Sequence, residues 1–112
     1  MDTSAYLRSC LERVMEQKGQ DVFFKAGMPP RIRLGGEVVP LPLKALSASE
    51  IAAMAVELLD PRQQELLQKN KSVDFGFSFH EKDCRFRANA FYQQGDLSLV
   101  FRLLWRGIPT FE

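Results

Sequence analysis

The sequence predicts an α+β domain built on an antiparallel sheet of about six strands in two three-stranded runs, with helices packed on one side. Three observations carry this. From Ser72 to Trp105, Val73, Phe75, Phe77 and Phe79 alternate with Asp74, Gly76, Ser78 and His80. Cys84, Phe86, Ala88 and Ala90 then alternate with Arg85, Arg87 and Asn89, and Leu97, Leu99, Phe101 and Leu103 with Ser98, Val100 and Arg102. Such period-two alternation gives each strand one apolar face. Helical and strand patterns come in runs (helix, three strands, two helices, three strands), which argues against a wound parallel sheet. The length of 112 residues suits one domain with one core.

The elements follow in order. Between Ser4 and Lys18, Leu7, Cys10, Leu11 and Val14 fall at i, i+3, i+4 and i+7, the apolar face of a helix. Gly19 is placed to cap it, and Lys18 suits the negative end of its dipole. Asp21 to Lys25 reads as a short strand. Two prolines make residues 26 to 30 a turn. Arg31 to Leu34 and Glu37 to Leu41 flank Gly35-Gly36, a two-residue hairpin connection. Pro40 and Pro42 put the second of these strands at a sheet edge. Ser47 and Glu50 form a capping box ahead of a stripe of Ile51, Met54, Ala55, Leu58 and Leu59. Asp60 and Pro61 then start a helix that Leu66 and Leu67 anchor to about Asn70. Turns are expected near Glu81-Lys82-Asp83 and Gln94-Gly95-Asp96, with residues 105 to 109 leaving the sheet. The chain stops at Phe111-Glu112 with neither a cap nor a polar tail, so the sequence reads as a piece of a longer one.

Composition narrows the function. A net charge of +1 gives no global electrostatic case for nucleic acid or an anionic membrane. Cys10 and Cys84 fall on predicted apolar faces, with no disulfide framework or metal-ligand spacing. No apolar run approaches a membrane span and no signal-peptide pattern opens the chain. A soluble cytoplasmic protein is expected. Phosphate-binding loops of either common pattern are missing. His80 has no paired nucleophile and reads as a solvated turn residue.

The charges of interest are arginines inside strands: Arg31 and Arg33 in one hairpin, and Arg85, Arg87 and Arg102 in the later run. If Phe86 and Phe101 face the core, Arg87 and Arg102 share the opposite face of neighbouring strands. Arginine binds phosphate or carboxylate through a planar fork of donors. On composition alone the plainer reading prevails, that of cross-strand pairs with Asp or Glu on a solvated face. The sharper one is a row that receives an anionic group from a partner. Phe91 and Tyr92 beside Arg87 would suit base stacking, but the near-neutral charge favours core packing.

Four motifs carry a family resemblance. Asp21 to Gly36 resembles the "SDLxxxAGxPPxxRxxGxx" segment of the type IV pilus retraction ATPases, the PilT/PilU family of twitching motility. Cys84 to Phe91 resembles their "RFRxNAF" strand, Leu99 to Leu104 their "xVFRxI" strand, and Ile108 to Glu112 their "IPTxEEL" junction. Two departures, Gln20 for the serine of "SDL" and Phe23 for the histidine common after it, favour a PilU-like or other paralogous member over PilT proper.

The resemblance implies that residues 1–112 are the N-terminal PAS-like domain of a hexameric ATPase of the bacterial secretion superfamily. The RecA-like motor domain and its P-loop would then lie outside these residues. ATP and Mg2+ would be held mainly by that motor domain, and this fragment alone would not hydrolyse ATP. Arg85 and Arg87 on the "RFR" strand and Arg102 on the "VFR" strand would lean over the phosphates, Arg87 and Arg102 foremost. Implied partners are its own motor domain, neighbouring subunits and the inner-membrane platform at the pilus base, without nucleic acid. Implied too is a cytoplasmic place at the membrane periphery. A stand-alone PAS-like ligand- or protein-interaction module is the alternative. A single-strand nucleic-acid binder using Arg87 and Tyr92 is a weaker third.

Overall fold

The computed structural model describes residues 3–79 and 84–106. Helix α1 (Thr3–Glu16) leads into strands β1 (Asp21–Phe24), β2 (Arg31–Leu34) and β3 (Glu37–Pro40). Helices α2 (Ala48–Leu58) and α3 (Pro61–Asn70) follow, then strands β4 (Ser72–Phe79), β5 (Cys84–Gln93) and β6 (Asp96–Arg106). All six strands form one sheet in the order β3-β2-β1-β6-β5-β4, every neighbour antiparallel. The α+β class and the six strands therefore agree with the sequence. The two three-stranded runs are fused by pairing of β1 with β6.

The helices lie on one face of the sheet. Leu7, Cys10, Leu11 and Val14 of α1 and Ile51, Met54 and Ala55 of α2 join Val22, Phe24, Ile32, Phe86, Leu99 and Phe101 in a single buried cluster. Phe101 sits centrally, edge-to-face with Phe24, Phe75, Phe77 and Phe86. Both cysteines are free and buried, as their apolar positions suggest.

Local signals hold closely. Ser47 accepts from the Glu50 amide while Glu50 caps the Ser47 amide in return. Asp60 and Gln63 make the same reciprocal pair ahead of Pro61. Pro40 lies on edge strand β3, where its missing donor faces no partner. The end of α1 differs from expectation. Lys18, not Gly19, takes the left-handed conformation, at φ 58. The Gly19 amide then reaches back to the Val14 carbonyl at 2.7 Å, closing the helix in a Schellman arrangement. Gly19 is required for room instead. A Cβ there would stand 2.7 Å from Val14 Cγ2 and 3.0 Å from the Arg33 carbonyl oxygen. His80, the Glu81-Lys82-Asp83 turn and the Ile108 to Glu112 junction lie outside the described residues.

Candidate functional site

The other face of the sheet carries no helix among the described residues, and the alternation of β5 and β6 determines what it presents. With Phe86 and Ala88 buried below, Arg85, Arg87 and Asn89 point to the open side. With Leu99 and Phe101 buried, Val100 and Arg102 do the same on β6. Register then places Arg87 directly opposite Arg102. The sharing of one face by these two arginines is thus met, and more closely than alternation alone could say.

The row continues across the sheet. Arg102 lies opposite Asp21 of β1, Arg87 opposite Gly76 of β4, and Arg33 of β2 opposite Val38 of β3. Asp21 joins the two halves. Its Oδ1 accepts from Arg102 Nε at 3.0 Å and its Oδ2 from Arg33 Nε at 3.1 Å. Although it sits on the open face, Asp21 is only 3% exposed, because the two arginine stems cover it. Its hydrogen bond, and then its charge, push the Arg102 guanidinium above its ordinary pKa, so that group stays cationic.

The Arg87 side chain makes no hydrogen bond or ion pair among the described residues, and the residue is exposed. It lies between two shallow depressions. One, of about 370 Å3, is lined by Asp74, Arg87, Asn89, Val100, Arg102 and Leu104. The next, of about 300 Å3, includes Asp74, Gly76, Arg85 and Leu104. Asn89 Nδ2 donates to Asp74 Oδ1 at 2.7 Å, which gives that carboxylate a neutral partner and leaves Arg87 uncommitted.

Arg85 stands apart. Between it and Phe86 the register shifts, Arg85 pairing with Trp105 while Phe86 pairs with Leu103, so Leu104 is unopposed. A bulge of this kind re-aims the side chains beyond it. Arg85 leans over β4, with Nη1 3.3 Å from Ser78 Oγ and Nη2 in the space that a side chain at Gly76 would take. Of the three candidate arginines, Arg87 and Arg102 face each other directly and share the first depression, while Arg85 shares only the second, with Arg87. Arg31 lies two residues along β2 from Arg33 of the row, opposite Phe23 and Pro40.

Sequence reasoning missed Asp21. Alternation predicts a cross-strand Asp or Glu for the arginines in general, but the partner is separated from Arg102 by 81 positions. Only the β1–β6 pairing identifies it. The aromatic platform is not assembled. Tyr92 lies on the helix side of β5, where it accepts from Gln68 Nε2 at 2.9 Å, on the opposite face from Arg87. Among the described residues no group of three or more His, Cys, Asp or Glu could hold a metal ion. No helix there is long and apolar enough to cross a membrane.

No family model matches the chain. Against curated proteins it is 30% identical over 102 residues to the type IV pilus ATPase PilU of Pseudomonas aeruginosa, covering 91% of this chain and 26% of that protein. With PilT of the same organism, a type IV pilus retraction ATPase, identity is 30% over 97 residues, covering 87% and 28%. A crystal structure of the pilus retraction motor PilT with bound ADP superposes with a TM-score of 0.79 at 29% identity, over 88% of this chain and 29% of that one. Fold and sequence together define an N-terminal domain of the kind found in pilus ATPases. The chain is a PilT/PilU-like N-terminal domain, and it spans about a quarter of the length of the curated relatives it matches.

Proposed function

We propose that the chain serves as the N-terminal, PAS-like domain of a hexameric ATPase that powers type IV pilus retraction and twitching motility. In this reading a RecA-like motor domain completes the protein and binds ATP, and the open sheet face delivers Arg87 and Arg102 to the phosphates. The observation that carries it is the direct opposition of these two arginines on a face that no helix covers. Phosphoryl transfer depends on positioning and on neutralising charge spread over phosphate oxygens, and guanidinium groups brought across a cleft supply both. Two opposed arginines fit that chemistry: each offers a fork of donors, and the row carries three positive charges against the single carboxylate of Asp21. Mg2+ is assigned to the motor domain and the nucleotide itself. Closure over ATP and release after hydrolysis would turn the domain against the motor as a rigid body.

The working place assigned to the protein is cytoplasmic, at the inner-membrane platform of the pilus base, with neighbouring subunits as its immediate partners. The test is ATP turnover by the complete ATPase carrying this domain. Arg87→Ala and Arg102→Ala should each depress turnover by about tenfold or more, the scale of losing a charge-assisted contact to phosphate. Circular dichroism should be unchanged for both; the melting midpoint should hold for Arg87→Ala, whose exposed side chain makes no pair, and fall for Arg102→Ala, which takes from buried Asp21 one of its two cationic partners. Turnover unaffected by either substitution would remove the arginine assignment.

A further inference from the structure

A carboxylate as enclosed as Asp21 is costly to keep without cationic partners. It has two, one on each oxygen, and they are held unequally. Arg33 also stacks over the Phe23 ring at 5.5 Å, and its side chain is 38% exposed. The Arg102 side chain is 68% exposed, and Asp21 is its only hydrogen-bond partner among the described residues. Arg102 is tied through Nε, which leaves the edge formed by its two terminal nitrogens available. Beside it, the Arg87 side chain has no partner among the described residues. Along the row the charges read positive at Arg33, negative at Asp21, positive at Arg102 and positive again at Arg87. The two like charges at the end face each other on neighbouring strands, and Asp74, the carboxylate in their depression, is engaged by Asn89, so an anion lying over the pair is favoured.

We infer that Asp21 is a positioning residue: it holds Arg102 by Nε so that the free edge of Arg102 and the guanidinium of Arg87 meet the same phosphate. Arg33 is the second part of the device. It occupies the other oxygen of Asp21, so the buried carboxylate is fully paired while Arg102 holds it by Nε and turns its terminal edge to the anion. Tethering also removes rotamer freedom from Arg102 before the anion arrives, which lowers the ordering cost of binding. The inference rests on the phosphate-contact reading above and adds to it the residue that aims the arginine.

The experiment is steady-state ATP hydrolysis by the complete ATPase, with four variants. Asp21→Asn should raise KM for ATP about tenfold, the effect of misplacing one charge-assisted hydrogen bond, with a smaller change in kcat. The double variant Asp21→Asn/Arg102→Ala should be no worse than Arg102→Ala alone, because Asp21 acts through Arg102. Arg102→Lys should resemble Asp21→Asn: it keeps the charge, but one ammonium cannot hold Asp21 by one edge and phosphate by another. If Arg102→Ala itself has no effect, the phosphate reading fails and takes this inference with it. If Arg102→Ala is impaired while Asp21→Asn keeps a wild-type KM, only the inference fails. Additive losses in the double variant also overturn it, since they would mark a general structural role. Should Asp21→Asn not fold, Arg102→Lys decides, and a wild-type KM in that variant overturns the inference.

Discussion

Replacing Phe101 tests the core on which the arginine face rests. Its ring is fully buried, with centroids 5.8 Å from Phe24, 6.1 Å from Phe75, 6.0 Å from Phe77 and 6.5 Å from Phe86, all at steep interplanar angles. Truncating a buried Phe to Ala costs about 3–5 kcal/mol, and each edge-to-face pair contributes roughly 0.5–1.5 kcal/mol beyond area burial. Domains hold only about 5–15 kcal/mol in total, so Phe101→Ala would leave a marginal fold. Phe101→Leu is more readable. It keeps much of the volume but loses the ring contacts, for an expected cost of about 2 kcal/mol and a fall in melting midpoint of about 8 °C. Phe77→Leu is the control, because Phe77 is half-buried on edge strand β4 and among the described residues has a single ring contact, to Phe101. Its cost should stay below about 1 kcal/mol. Thermal and urea unfolding followed by circular dichroism would measure both. Equal losses for the two variants, or a loss under about 0.5 kcal/mol for Phe101→Leu, would refute a core centred on this ring.

Two further outcomes follow from local geometry. Gly19→Ala should destabilise by about 1–3 kcal/mol, since its Cβ must displace Val14 and crowd the Arg33 backbone; urea midpoints would show it, and an unchanged midpoint would mean that the α1–β2 approach is looser than described. Hydrogen bonds from the Ser47 backbone, foremost, hold the Glu50 carboxyl below its ordinary pKa of 4.5. A depressed folded-state pKa stabilises above the unfolded value and ceases to do so as pH falls through the folded one. The gap in melting midpoint between wild type and Glu50→Gln should therefore be open at neutral pH and close as pH drops below about 4.5; a gap independent of pH would refute the charged cap.

The legible parts of this fold are those encoded within a few residues. The capping box at Ser47, the N-cap at Asp60, the alternation of β4 to β6 and the turn at Gln94-Gly95 all depend on near neighbours, and each stands where the sequence puts it. Arg87 and Arg102 were legible as a pair for the same reason, since one hairpin joins their strands. Gly19 misled because glycine after a helix signals positive φ, whereas the constraint here is the closeness of Val14 and Arg33. Asp21 was illegible as a site residue. Its role exists only when β1 pairs with β6, a choice made by the whole core and not by the residues around it.

That choice also decides how firmly the arginines are held. On β6 the side chains of Phe101 and Arg102 leave the same strand in opposite directions, one into the centre of the core and one onto the open face. A one-residue slip of β6 against β5 would drive Arg102 into the aromatic cluster and Phe101 into water, so the hydrophobic pattern itself locks the register in which Arg102 meets Arg87. The same strand pairs with β1 on its other side, which fixes Asp21 in that register. Under the proposed function, an anion gripped by Arg87 and Arg102 would therefore pull on the two longest strands of the sheet, of 10 and 11 residues, and not on a loop. Loops yield to such a pull locally, whereas strands buried on one face against Phe101 and its neighbours pass it to the domain as a unit.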